Sequence, residues 1–233
     1  MFKPLLPLVL AAGLALPALA QEANVKKAIE AKLGAPVTSV TKAGYLGLYE
    51  VYFDGQILYT DEKVSAILAG NLIDAKTMTS VTEERMKKLN AIKFSDLPLN
   101  QAIKQVKGNG KRVLVTFEDP NCGYCKRLAK DLAKLDNITL YTFLYPILSE
   151  DSIKKSRQIW CAADQAKAWN DWMLKGKVPA GKEDCDTTAI INNQEFGQKL
   201  RITGTPTLFF ADGERVGGAI PMARIEQKLN SIK

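Results

Sequence analysis

The stretch EDPNCGYCKRL, Glu118 to Leu128, follows the continuous apolar run RVLVTF at 112–117 and opens a segment whose Leu128, Leu132 and Leu135 recur at helical spacing. The run ITLYTFLY at 138–145 reads as the next strand. Strand, helix and strand with a crossover of this length predict a parallel βαβ unit, right-handed by the general rule. Downstream lies a mostly helical stretch from 151 to 200. TPTLFF, the turn Ala211-Asp212-Gly213-Glu214, a short strand and a final helix over 221–232 follow it. A βαβ half and a ββα half together predict one central sheet in an α/β fold, with the long helical stretch as an insertion.

Cys122 and Cys125 fall where the first strand gives way to its helix. They read as a reactive dithiol, half of a zinc site or a structural bridge. The compartment bears on the choice. MFK supplies a positive charge, LLPLVLAAGLALP an apolar run, and Ala18-Leu19-Ala20 a small-x-small pattern, so residues 1–20 read as a signal peptide cleaved after Ala20. Pro4, Pro7 and Pro17 break the run short of the ~20 apolar residues a membrane span needs. Export leaves four cysteines in an oxidising compartment, and an even number there suggests two bridges.

The chain carries no His. That excludes serine-hydrolase triads, Cys-His proteases and His-rich metal sites. A zinc site would need all four cysteines, Cys122, Cys125, Cys161 and Cys185, with the second pair 24 positions apart. A Cys-x-x-Cys bridge closes too small a loop to restrain the unfolded chain much. Redox chemistry is the reading left. A helix N-terminus favours an anion, so Cys122 is the expected nucleophile; lowering a thiol pKa from ~8.5 to ~6 raises its ionised fraction at pH 7 from about 3% to about 90%. Cys125, one turn further in, is the expected resolving thiol. Cys161 and Cys185 would close a loop of about 25 residues, read as a structural disulfide on the helical insertion, with a second redox relay as the alternative. The formal charge of +7 is spread among acids, with no basic run carrying interleaved aromatics, so no nucleic-acid partner is expected.

The N-terminal part differs in kind. Val25, Ala28, Ile29 and Leu33 predict a helix over 22–33, ended by Gly34 and Pro36. VTSVTKAG, LGLYEVYF, QILYT, SAILAG and LIDAKT then read as an antiparallel meander punctuated by Gly44, Gly47, Asp54-Gly55 and Gly70-Asn71. So small an α+β core gains stability by pairing with a copy of itself. TEERMKKLNAI, with Thr82 as its cap, is polar on most faces and reads as a linker helix over 81–95. The expected organisation is a signal peptide at 1–20, an N-terminal dimerisation domain at 21–80, the linker at 81–95 and a catalytic domain at 96–233. Thr205-Pro206, ahead of the strand TLFF, is the remaining feature: a Pro there can hold a cis bond and expose Thr backbone groups to an extended substrate.

CGYC at a strand-to-helix junction, Thr-Pro before a later strand and the βαβ-then-ββα order resemble the thioredoxin fold. The insertion with its second cysteine pair, the signal peptide, the small N-terminal domain and the linker helix resemble the periplasmic DsbC/DsbG family of disulfide isomerases. The resemblance covers nearly all of the mature chain. It implies a V-shaped homodimer whose cleft holds misfolded disulfide-containing exported proteins. It also implies that a DsbD-like membrane thiol reductase keeps Cys122 and Cys125 reduced, that Thr205-Pro206 is the cis peptide beside them, and that substrate is met at Gly123, Tyr124, Thr205 and Pro206. No cofactor or metal is implied. Isomerisation of wrong disulfides is the expected activity; a disulfide-donating oxidase, or a DsbG-like chaperone and sulfenic-acid reductase, are the alternatives. Gly123-Tyr124 puts no His beside the thiolate, which argues against the most oxidising members of the superfamily. Thioredoxin's buried acid lies six residues before the first Cys; here that place is Thr116, leaving Glu118 and Asp119 as candidate proton acceptors for Cys125.

Overall fold

The structure, a computed structural model, describes residues 16–232; residues 1–15 of the expected leader lie outside them. The chain divides into two compact units after Met86.

The first unit opens with helix α1, Leu16–Leu33, which starts six residues before the expected position: Pro17 falls in the first turn, where its missing N–H is tolerated, and Ala18 to Gln21 are good helix formers. Val25 and Ile29, four apart, are buried against Val40, Tyr49, Val51 and Leu58. Gly34, with φ +67°, ends the helix in the left-handed conformation that glycine takes without strain, its N–H bonding the Glu30 carbonyl at 2.9 Å. Strands β1 (Ser39–Lys42), β2 (Tyr49–Phe53), β3 (Gln56–Thr60) and β4 (Ile67–Ala69) form an antiparallel sheet in that order. Asp54-Gly55 turns β2 into β3 with both residues at positive φ, the geometry of a two-residue hairpin.

LIDAKT does not extend this meander. Ile73–Asp74 (β5) instead pairs with Thr79–Ser80 (β6) as a separate ribbon, because the Asp74 carboxylate accepts the N–H groups of Lys76 and Thr77 and turns the chain back at once. Helix α2, Val81–Leu89, begins one residue before its expected cap. Ser80 Oγ accepts the Glu83 N–H, while the Thr82 hydroxyl is buried between Tyr59 Oη at 2.6 Å and the Leu72 N–H at 2.8 Å. Ser80 therefore caps the helix in place of Thr82. Arg85 clamps the buried Glu50 carboxylate through Nε and Nη2, each at 2.9 Å.

The second unit is a five-stranded sheet with spatial order β11-β10-β8-β9-β7. Its strands are β7 (Ile103–Lys107), β8 (Arg112–Glu118), β9 (Ile138–Leu144), β10 (Thr207–Phe210) and β11 (Arg215–Gly217). β8 and β9 are parallel, joined across helix α3 (Gly123–Leu132); every other pairing is antiparallel. Edge strand β7, IKQVK, has no counterpart in the sequence reading. Its short apolar alternation, Ile103 and Val106, is out of phase with a two-residue period and gave no strand pattern.

The sheet is covered on both faces. Leu114, Leu140, Leu208 and Phe210 meet Leu128 and Leu132 of α3 and Ile225 and Leu229 of helix α7, Met222–Ser231. Val115, Phe117, Phe143 and Phe209, one position out of step, meet Phe196 of helix α6, Thr188–Lys199. Phe117 and Phe143 stack at 4.6 Å between ring centroids. This alternation is the two-residue period of strands buried on both sides. Leu135 joins the α3-side core from the loop beyond the helix, not from the helix itself. Helices α4 (Glu150–Trp160) and α5 (Gln165–Lys175) complete the insertion between β9 and α6. Among the described residues no helix is long and apolar enough to cross a membrane.

Candidate active site

β8 ends at Glu118, the loop Asp119–Asn121 turns the chain, and α3 starts at Gly123 with Cys122 as its N-cap residue. The cap position explains the local geometry. Cys122 has extended backbone torsions, and its Sγ accepts the Cys125 N–H at 3.3 Å, one of the N–H groups a helix start leaves unpaired. The same Sγ donates to the Thr205 carbonyl at 3.3 Å. Both cysteines are free thiols; Cys122 keeps 6% of its surface exposed and Cys125 none.

The Thr205–Pro206 peptide bond is cis and stands directly beside Cys122. Gly123 and Tyr124 are exposed on the outer side of the first helical turn, Pro206 is buried and Thr205 half-buried. These four residues and the two thiols are thus within one neighbourhood, and the Thr205 carbonyl is engaged by the thiol. Cys161, the C-cap residue of α4, is bonded to Cys185 with a Cα–Cα distance of 5.5 Å. That bridge ties α4 to the segment leading into α6. Among the described residues no three His, Cys, Asp or Glu side chains gather as metal ligands.

The two candidate acids have different surroundings. The buried Asp119 carboxylate accepts four hydrogen bonds: from the N–H groups of Asn121, Ile147 and Leu148 at 2.7, 2.9 and 3.0 Å, and from Ser152 Oγ at 2.8 Å. It is a structural tie between the thiol loop and the start of α4. Glu118 is buried with a single side-chain partner, Thr116 Oγ1 at 2.7 Å, and its Oε2 has none. Burial pushes its carboxyl up to about 7, opposed by the Thr116 hydrogen bond. Burial likewise pushes the Cys125 thiol up, with the nearby Glu118 charge adding to it.

Sequence reasoning passed over Trp172. Its Nε1 donates to the Pro120 carbonyl at 2.6 Å, holding the thiol loop from α5, while Lys126 and Lys155 lie over its ring at 4.0 and 4.9 Å. Nothing in the local pattern around Trp172 signals this, since the contact spans 52 residues. The Asp119–Asn121 turn, in contrast, is the ordinary meaning of Asp-Pro-Asn in a sequence.

The geometry describes a dithiol at a helix start, one thiol with 6% of its surface still exposed and one fully buried beneath it, faced by a cis-proline loop. Comparison with known proteins finds relatives for both units. A thioredoxin-like domain matches residues 99–233, and the disulfide bond isomerase protein N-terminal domain matches residues 16–83. The probable thiol:disulfide interchange protein DsbC of Bordetella pertussis is 52% identical over 196 residues, covering 84% of this chain and 69% of that protein. The DsbC protein of Escherichia coli K12 is 27% identical over 218 residues, 91% of this chain and 88% of its own. The crystal structure of a disulfide interchange protein from Neisseria gonorrhoeae is 40% identical with a TM-score of 0.55, covering 57% of this chain and 96% of that one. The chain belongs to the DsbC family of thiol:disulfide interchange proteins, with a thioredoxin-like domain and a DsbC-type N-terminal domain.

Proposed function

We propose that the protein isomerises non-native disulfides in exported proteins, with Cys122 as nucleophile and Cys125 as resolving thiol. The observation that carries this reading is the pair of free thiols one helical turn apart, Cys122 at the cap with an N–H aimed at its sulfur and Cys125 sealed below. N–H groups and the helix dipole favour negative charge at the cap position. The Cys122 thiolate attacks a wrong disulfide and holds the substrate as a mixed disulfide. A free substrate thiol then displaces it into a new pairing; if none arrives, Cys125 attacks, the substrate leaves reduced and the enzyme leaves oxidised. Gly123, Tyr124 and the Thr205–Pro206 backbone are the surfaces offered to the substrate chain, and Cys161–Cys185 is structural.

The working form is a periplasmic homodimer joined through residues 21–80, with the leader removed after Ala20 and 81–95 linking to the catalytic domain at 96–233. Supporting the dimer, edge strand β4 leaves Ile67 and Leu68 exposed at 42% and 53%, an apolar edge that single chains normally protect. A DsbD-like membrane reductase returns electrons to the oxidised dithiol. The test is recovery of native activity from a scrambled multi-disulfide protein, comparing wild type with Cys122→Ser. Wild type restores activity and the variant does not; residual isomerisation by Cys122→Ser refutes the assignment. Failure of wild type to isomerise while it readily oxidises a reduced protein marks a disulfide donor instead.

A further inference from the structure

The resolving step poses a problem that the two thiols do not solve between them. A thiol attacks a disulfide as thiolate, so Cys125, with no exposed surface, needs an acceptor for its proton inside the protein. Strand β8 supplies one. Residues 114, 116 and 118 point to the sheet face covered by α3. Leu114 packs there against Leu128 and Leu132, and Thr116 Oγ1 holds Glu118 Oε1. Leu144, the register partner of Glu118 on β9, packs with Cys125, Ala129 and Trp169. Glu118 therefore ends its strand beneath the buried cysteine.

Its environment suits a group that changes protonation. Glu118 is 1% exposed, and its Oε2 is a buried oxygen without a hydrogen-bond partner, a costly arrangement for a purely structural carboxylate. That side chain lines a cavity of about 50 Å³ between α3, α5 and β7, roomy enough for water. The outer part is formed by half-buried Gln105, Lys107 and Asn170 and by exposed Ala133, with Asn170 Nδ2 donating to Gln105 Oε1 at 2.7 Å. Lys107 is the other charged side chain on the lining; its ammonium is occupied by the Leu132 and Ala133 carbonyls at 3.2 and 2.9 Å. Asp119, the neighbouring carboxylate, is occupied by its four donors.

We infer that Glu118 is the acid–base group of the resolving step and that the cleft between α3, α5 and β7 carries its proton to solvent, an inference resting on Cys125 as the resolving thiol. The ionised Glu118 carboxylate takes the Cys125 proton. The Cys125 thiolate then attacks Cys122 Sγ of the mixed disulfide. A Cys122–Cys125 bond forms and the Cys122–substrate bond breaks, so the enzyme dithiol is oxidised and the substrate sulfur departs as a reduced thiolate that takes a proton from water. Glu118 passes its own proton to water in the cleft, and the sequence runs backwards when the dithiol is reduced again.

The test separates mixed-disulfide formation from release by rapid mixing of the full chain with a peptide disulfide carrying a fluorescent thiol. Glu118→Gln is expected to slow release by about tenfold or more near neutral pH and to remove the neutral limb of its pH profile, while formation at Cys122 stays unchanged. Glu118→Asp restores part of the rate, and Ala133→Leu, which crowds the mouth of the cleft, slows release with Glu118 in place. Release by Glu118→Gln at the wild-type rate and with the wild-type pH profile overturns the role of Glu118. Unchanged release by Ala133→Leu overturns the route. Equal slowing of formation and release marks a distorted site and overturns both. Undiminished release by Cys125→Ser instead removes the underlying assignment of the resolving thiol, a result read independently of the Glu118 variants.

Discussion

Replacing Glu118 by Gln should change how stability depends on pH, in a direction that follows from the carboxyl's surroundings. Its folded value is about 7 against 4.5 for the unpaired group. A carboxyl whose value is raised on folding binds more protons in the native state, so the stability it contributes is complete below 4.5 and is lost as the pH rises to 7. At 1.36 kcal/mol per unit the whole loss is about 3 kcal/mol, of which about 2.5 kcal/mol falls between pH 5 and pH 8. The Gln variant has no such loss. The chain has no His, so no imidazole titrates in this window, and the Asp171 carboxyl, held at about 2 by hydrogen bonds from Lys167 and Lys175, has finished titrating below it. The assay is urea unfolding of the reduced protein from pH 5 to 8. It is followed by Trp fluorescence, because Trp160, Trp169 and Trp172 all belong to the second unit. With a slope of about 2 kcal/mol per molar urea, the wild-type midpoint should fall by about 1 M across this range relative to the variant. Parallel curves for the two proteins would refute the reasoning, because they would mean that Glu118 is not buried in its acidic form.

Cys125→Ser should accumulate covalent enzyme–substrate complexes, visible as thiol-sensitive bands on non-reducing gels, because the internal attack that frees the substrate is gone; absence of such bands counts against Cys122 as nucleophile. Asp119→Asn replaces an oxygen that accepts two N–H groups by an amide that donates, and should cost about 2–4 kcal/mol in urea unfolding while loosening the thiol loop. Replacing Cys161 and Cys185 together by Ala releases a loop spanning a separation of 24 residues and should destabilise the second unit by up to about 3.5 kcal/mol, with thiol chemistry at Cys122 retained; a loss of that chemistry gives the bridge a functional part. Leu68→Lys, a charge on the exposed apolar edge of β4, should convert a dimer to a monomer in sedimentation, and an unchanged sedimentation profile removes β4 from the interface.

The strands and helices that carry the thiols were legible because their signals are local. The run 112–117 and the segment from Cys122 to Leu132 each show their own period, and the Asp54-Gly55 turn needs two residues to declare itself. Elements whose identity rests on distant partners were not. β7 exists because β9 offers it a ladder, LIDAKT leaves the meander because Asp74 turns it back, and the Thr82 hydroxyl is lost to capping because Tyr59, 23 residues away, takes it. Trp172 holds the thiol loop across 52 residues, a contact no window on the sequence contains.

By itself, then, the chain's order of residues determined that two thiols stand one helical turn apart after a buried strand, that no imidazole accompanies them, and that Thr116 and Glu118 share a face. Only the tertiary structure decided what that face meets. Side-chain period is a property of the backbone and is written residue by residue. Which face of β8 receives α3, which carboxylate is consumed by loop N–H groups and which keeps one oxygen unpartnered beneath Cys125 depend on packing among segments that the sequence holds far apart.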